Sequence, residues 1–387
     1  MATVNLKEVM EAVQKKIYTA DSSTSDLQDL IYLLKGAKRG DGTMVQQVAS
    51  TSSLPDLTDS AADTEMIAFV QDEGKLYFKQ DSSGTTVWKT YTDPSPSGTQ
   101  AQGSTSGYTS GGNSGPGDKG IIDKFPFSAD ANATDVGDLS LGRGSGAGSS
   151  SSASGYTHGG LTPPSPPVKN TIDKFPFASD GNATDVGDLT AARYILAGHT
   201  GPTHGYASGG NTTGPTSDII EKYSFSSDGN ATDVGDLTAA RYGTVGQSSE
   251  NNGYTSGGNN GSINVNTIEN FPFSSDANAS DVGDLTVARN QGSGQNSADN
   301  GYMTGGQSSN VIDKYPFSSN ADATDVGDMT TTRSNAAGQS SSTHGYASAG
   351  TPGNSNIIEK FPFSSDANAT DVGDVTVGRY GAAGQQV

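Results

Sequence analysis

The residues of this chain best able to do chemistry are carboxylates, and they recur in groups: Asp130/Asp135/Asp138, Asp180/Asp185/Asp188, Asp228/Asp233/Asp236, Asp276/Asp281/Asp284, Asp322/Asp325/Asp328 and Asp366/Asp371/Asp374. Their commonest spacing is D-x-N-x-x-D, an oxygen-rich loop of a kind that could hold Ca²⁺. The EF-hand order D-x-[DN]-x-[DN]-G is not met. A Ser-x-Asp-x-Gly-x-x-Trp box is not met either, because its glycine and tryptophan are missing. Turn capping by Asp and Asn accounts for the groups better, together with an ion pair to the arginine that follows each of them. No cofactor is therefore expected, and Ca²⁺ is the one ion the loops leave open.

The other reactive types are sparse. There is no cysteine, which removes disulfides, thiolate metal sites and cysteine nucleophiles. The four histidines, His158, His199, His204 and His344, do not recur in register; three sit in the loops before Gly-Tyr, and solvated loop positions describe these better than a metal pair at His199 and His204. Asn132, Asn182, Asn230, Asn278 and Asn368 open Asn-Ala-Thr/Ser triplets, formally glycosylation acceptors. Near-identical groups repeated along a chain argue against catalysis, which needs one asymmetric pocket of unlike residues. The expectation is a protein that is not an enzyme.

Those groups belong to a longer phrase that must position them. It opens with Gly-Tyr at Tyr108, Tyr156, Tyr206, Tyr254, Tyr302 and Tyr346, 44 to 50 residues apart, and closes on Arg143, Arg193, Arg241, Arg289, Arg333 and Arg379. A period of that size marks a solenoid, a propeller or an array. Within one copy, GYASGG reads as a short strand ending where the backbone must turn, and IIEKYSF (Ile219–Phe225) as a strand apolar on both faces. DVGDLT reads as a third strand, and Tyr242–Gln247 as a fourth. Four short strands per copy are the measure of a propeller blade. Each arginine lies 12 residues before the next Gly-Tyr, so differences in length are confined to the loop after Gly-Gly. That loop belongs on one rim of the disc, and the loop after the fourth strand, constant in length but diverse in composition, on the other.

These motifs resemble the kelch-type β-propeller, whose repeats carry Gly-Gly, a following aromatic, a tryptophan and a Val-Gly-Asp-Leu-like segment. Here Gly-Gly falls at Gly111, Gly159, Gly209, Gly257 and Gly305, with Ala349-Gly350 last. The aromatic is Phe125, Phe175, Tyr223, Phe271, Tyr315 or Phe361. The tryptophan's place holds Ala133, Ala183, Ala231, Ala279, Ala323 and Ala369. No fourth strand precedes the first Gly-Tyr, and one without a partner, Tyr380–Val387, follows the last arginine. Pairing it with Gly107–Gly112 closes a ring of six blades and removes two exposed edges. The fold expected is mainly β: a six-bladed propeller over 107–387 closed by the C-terminal strand, preceded by a small α+β region. The six arginines are expected to be buried at the blade junctions and paired with Asp138, Asp188, Asp236, Asp284, Asp328 and Asp374, or with the aspartate three residues earlier such as Asp233, from their own or the next copy.

Ahead of the repeat, Leu6, Val9, Met10, Val13 and Ile17 fall at helical spacing. So do Leu27, Leu30, Ile31 and Leu34. Two short helices cannot bury both stripes on each other, so 1–48 reads either as a self-packed hairpin or as an anchoring and oligomerising segment. Strand patterns at Met66–Val70, Leu76–Lys79 and Thr85–Tyr91 make 49–92 a small meander, and 93–106 is a linker. Only 31% of the residues are hydrophobic, with 52 glycines, yet the strict repeat argues for tight turns rather than disorder. A formal charge of −20 disfavours nucleic acid, and no apolar run is long enough to insert in a membrane. The first residues carry charges through their apolar positions, so no secretory leader is expected.

LPDLTDSAADTEMIAFVQDEGKLYFKQ and the FPFSSD-NATDVGDLT repeat resemble structural proteins of tailed phages of the marine, cyanophage type. The resemblance implies a virion appendage or fibre component, assembled in the host cytoplasm. It would contact other virion proteins through residues 1–92, form a homo-oligomer, and display the propeller toward a host-surface glycan or protein. A non-viral interaction scaffold and a propeller-fold carbohydrate-active enzyme are the competing expectations. A copper-radical oxidase is excluded among the latter, since its site needs a cysteine.

Overall fold

The computed structural model describes residues 102–387 except 116, 163–166 and 308, together with six short backbone strands nearer the N-terminus. The chain forms two compact units, Met1–Pro96 and Ser97–Val387. In the first, Ile67–Val70, Lys75–Ser82 and Thr85–Thr90 pair antiparallel in sequence order. Val45–Val48 adds a fourth strand, parallel to Ile67–Val70. Its Val-Gln-Gln-Val has no two-residue alternation, so the sequence leaves it inside the segment expected to be helical. The expected helices, with Leu6, Val9, Met10, Val13, Ile17, Leu27, Leu30, Ile31 and Leu34, lie outside the described residues.

The second unit is a six-bladed β-propeller. Blade II shows the plan: inner strand Ala147–Ser150, second Ser154–His158, third Thr171–Pro176 and outer Thr184–Asp188, all antiparallel neighbours. Blades III to VI repeat it with inner strands Ala197–Thr200, Val245–Ser248, Ser293–Asn296 and Ala337–Ser340. Blade I draws on both ends of the repeat region. Ser106–Ser110, Ile121–Pro126 and Thr134–Asp138 take Ala383–Gln386 as their inner strand, with Gln385 opposite Tyr108. The ring therefore closes through the C-terminal strand.

Each sheet is covered on both faces, which is why the third strand carries apolar groups on both. Ile220 is fully buried and Tyr223 nearly so. The second-strand tyrosine of one blade packs on two aromatics of the next: Tyr108 lies 5.6 Å from Phe175 and 4.8 Å from Phe177 between ring centroids. The alanine in the tryptophan's place is a contact, not a gap. Ala183 N–H donates to the Asp138 carbonyl of the preceding blade at 2.7 Å, and the other five do likewise at 2.8 Å. Gly137 faces the same turn, where a Cβ would stand 2.4 Å from the Gly181 carbonyl oxygen. A glycine at this position permits so close an approach of the two backbones.

Register sorts the connections onto two faces. Ala147 pairs with His158, and Gly159 N–H donates to Thr171 O, so the Gly-Gly loops and the arginine segments leave from the same strand ends. We call this the loop face. The short turns after the inner strands, such as Ser151–Ala153, lie on the opposite turn face. Gln102 enters there, donating to Asn296 O and Ser341 O of blades V and VI.

Candidate functional site

The repeat arginines are buried at the blade junctions, each from 0 to 2% exposed. The sequence places their partners at Asp138, Asp188, Asp236, Asp284, Asp328 and Asp374; the structure corrects this. Arg143 pairs with Asp173 (2.6 Å), Arg241 with Glu269 (3.1 Å), Arg289 with Asp313 (2.7 Å), Arg333 with Glu359 (2.5 Å), Arg379 with Asp123 (2.8 Å) and Arg193 with Glu221. Each acid sits on the third strand of the next blade and is at most 1% exposed. A register shift just before it, as between Ile172 and Asp173, accompanies its turn into the junction. In sequence the same residue reads as one polar position of an amphipathic strand, so nothing marks it as the partner.

The expected aspartates lie at the perimeter instead, exposed or half-buried, and act through their backbone. Asp138 N–H donates to Asn182 Oδ1 of the next blade at 3.0 Å. Asp188, Asp236, Asp328 and Asp374 repeat this with Asn230, Asn278, Asn368 and Asn132, and Asp284 does so with Asp322. The Asn-Ala-Thr asparagines are thus inter-blade acceptors. Turn capping falls to Asp135 and its equivalents, whose Oδ1 accepts from the N–H two residues on. Among the described residues, no three His, Cys, Asp or Glu gather as a metal site.

The histidines divide. His204 and His344 are half-buried at the turn face, but His158 and His199 are strand residues at 0% and 1% exposure, not solvated loop groups. His158 Nδ1 meets the Tyr223 hydroxyl at 3.2 Å, while its Nε2 has no partner. Burial, with the positive charges of Arg193 and Arg143 and the nearby His199, pushes its imidazole down to about 3. His199 lies between Ser208 Oγ (2.8 Å) and Gln247 O (3.2 Å), and burial takes it to about 4. Both are neutral at physiological pH, and the hydroxyls they meet, on Tyr223 and Ser208, are buried as well.

At the axis a feature absent from the sequence pattern closes the disc. Ser145, Ile195, Gly243, Gln291, Asn335 and Gly381 are left-handed, with φ from 52° to 64°. Each donates its N–H to the carbonyl of its counterpart one blade back: Ile195 to Ser145 at 2.7 Å, and so around to Ser145 donating to Gly381 at 2.6 Å. Six backbone hydrogen bonds form a cycle about the axis. Next to it, Gly148, Gly198, Gly246, Gly294, Gly338 and Gly384 pack so tightly that a Cβ would stand 2.0–2.2 Å from a neighbouring glycine oxygen. Toward the turn face, Ser150 N–H donates to Thr200 Oγ1, Thr200 N–H to Ser248 Oγ, and Ser248 N–H to Asn296 Oδ1. Between these rings lies an axial cavity of about 120 Å³, lined by backbone and by side chains that range from alanine to Ile195, Leu196 and Gln291. No charged group lines it.

The arrangement is suited to display. A rigid, hydrogen-bonded framework carries six loops of unequal length around an axial mouth. The chain matches no known family model and no curated protein, so the fold it shares with other β-propellers is the relationship that stands.

Proposed function

We propose that this protein is a virion appendage component whose propeller serves attachment to a host surface, with residues 1–92 contacting other virion proteins. The observation that carries the reading is the division between constant frame and variable loops. The arginine bolts, alanine contacts and asparagine acceptors recur blade after blade, whereas loop length varies only at one face. Binding residues concentrate on loops held by a rigid scaffold. Resemblance of the LPDLTDSAADTEMIAFVQDEGKLYFKQ stretch to tailed-phage structural proteins supports the virion setting. An antibody to this chain, imaged on negatively stained virions, should decorate an appendage; decoration of no virion would favour the intracellular scaffold. A propeller enzyme is the weaker reading, because it needs unlike reactive groups in one pocket.

A further inference from the structure

We propose that the loop face is a binding surface for an uncharged, hydroxyl-rich chain, a neutral oligosaccharide, centred on the axial mouth beside Tyr194 and Ile195. This rests on the attachment reading and specifies the face and the ligand class.

Charge is the first observation. The chain carries a formal −20, yet apart from the buried arginines the loops and arginine segments of this face hold only Asp118, Lys119, Lys169 and Asp218. Asp138 and its five counterparts end the outer strands around the rim of this face, and the other exposed acids lie farther off, on the outer strands, the turns leading into them and the turn face. Recognition surfaces are depleted of charge at their centres. A −20 molecule whose loop face has an uncharged centre inside an acidic rim can take a neutral chain at that centre, while anionic glycans are repelled by the rim.

Exposed apolar groups are the second. Among the described residues the exposed large hydrophobics are Leu141, Ile263 and Val287, at 46, 64 and 53%, and all three stand on the loop face. Half-exposed Tyr194, Tyr242 and Tyr380 stand there too, each followed directly by a residue of the axial cycle. The remaining loop residues are chiefly Asn, Ser, Thr and Gly. Rigid tyrosines with adaptable small polar groups are the composition of antibody paratopes. An aromatic face suits the C–H surface of a pyranose, and carboxamides suit its hydroxyls. A protein partner would want a contiguous apolar anchor, but Leu141 follows blade I whereas Ile263 and Val287 belong to blade IV.

Strain is the third. Ile195 is β-branched yet holds φ 52° at a position where Gly243 and Gly381 serve equally well. A bulky residue in the left-handed region is an outlier, and such strain concentrates at functional sites. Ile195 is half-exposed at the mouth of the axial cavity, beside Tyr194.

The test uses the full-length chain on an array of neutral, sialylated and sulfated oligosaccharides. Binding to neutral glycans is expected, and Tyr194→Ala or Ile195→Gly should weaken it about ten-fold, the loss of one good contact. Ile195→Gly should meanwhile keep or raise Tm, which a merely structural role would not produce. Replacing 259–266 by the shorter blade V sequence Gln307–Asn310, a loop that this framework already carries, should also weaken binding. Asp228→Asn at the perimeter should leave it unchanged. If neutral glycans bind but these loop variants bind as tightly as the native chain, the face assignment is overturned and the attachment reading survives. Binding to anionic glycans alone overturns the ligand class. No glycan binding, with capture of the chain in an assembly outside any virion, overturns both.

Discussion

At the residue scale, one methylene decides how an arginine bolt is made. Where the partner is aspartate, Arg143, Arg289 and Arg379 donate Nε to the first Gly-Gly carbonyl, at 2.8 Å in each case. Where it is glutamate, the Nε of Arg193, Arg241 and Arg333 is buried without a partner. The longer acid turns the guanidinium, so that Arg193 Nη1 takes the Gly209 carbonyl instead. Glu269→Asp should therefore let Arg241 Nε reach Gly257 O and stabilise the protein by about 1 kcal/mol, the net worth of one hydrogen bond. Arg241→Ala should cost about 3–5 kcal/mol by stranding a buried carboxylate, and Asp236→Asn less than about 0.5 kcal/mol. Urea denaturation measures all three, and a loss at Asp236 matching that at Arg241 would reinstate the perimeter aspartate as the partner. The buried histidines make the second prediction. Both have folded pKa values below the unfolded 6.5, at about 3 and 4. Between pH 6.5 and 3 the unfolded chain binds protons that the folded one refuses. Their contribution is full above pH 6.5 and lost as pH falls through that window, at about 1.4 kcal/mol per unit of depression. The triple variant His158→Ser, Tyr223→Phe, His199→Gln uses the residue types of Ser110, Phe175 and Gln247. It should lose less Tm than the native chain between pH 7 and pH 4; equal slopes would mean the acid response lies elsewhere.

Among the elements, the inner strand of blade I joins the two ends of the repeat region. Ala383–Gln386 makes the ladder with Ser106–Ser110, and Arg379 just ahead of it bolts to Asp123 while donating to the Thr109 and Gly111 carbonyls. Closing a loop of this length adds little entropy cost, since the cost grows only with the logarithm of length. Deleting 383–387 should therefore lower Tm for the whole propeller and leave blade I with an unpaired edge. In hydrogen exchange, the native Ala383–Gln386 amides that bond Ser106–Ser110 should be as protected as those of the other inner strands. Fast exchange confined to them would mean that the closing strand frays independently. A different contact joins the blades at the perimeter: Lys124–Asp180, Lys174–Asp228, Lys222–Asp276, Lys314–Asp366 and Lys360–Asp130. At the IV–V junction both positions are asparagine, Asn270 and Asn320, so neither charge is stranded there. These half-exposed pairs contribute little each, at most about 1 kcal/mol, and are screened by salt.

For the whole molecule, the number of blades and the width of the axis are tied to glycine. Six inner strands meet so closely that a Cβ on Gly246 would stand 2.1 Å from Gly198 O, with backbone and not a flexible side chain in the way. Gly246→Ala should therefore cost about 1–3 kcal/mol through overpacking. Gly229→Ala, in a turn with nothing within 4 Å of the added methyl, should be neutral or slightly stabilising. Equal Tm values for the two would mean that the axis can dilate. A sealed hub also directs function outward, since an axis narrowed by backbone is a poor conduit and the faces carry whatever the molecule recognises.

Copy number, blade measure, ring closure and the confinement of length variation to one rim all follow from the sequence by itself, because each depends on order and spacing along the chain. Buried tyrosines and arginines announce themselves the same way, by recurring at one register in a chain otherwise poor in large side chains. The arginines' partners were a matter for the tertiary structure. Asp236 is near in sequence, but Glu269 is brought to Arg241 by the packing of one blade on the next, and its type alternates between Asp and Glu without changing the pattern. His199 looks like a loop residue, and His158 like one more strand position, until the packing of one blade on the next buries both. The axial cycle is invisible in any residue type, since Ser145, Ile195, Gly243, Gln291, Asn335 and Gly381 share only a backbone conformation and their hydrogen bonds are made by peptide groups. Local spacing specifies strands and their order. Which side chains meet across a blade junction, and that the centre of the loop face is left uncharged, is decided only when six sheets close about one axis.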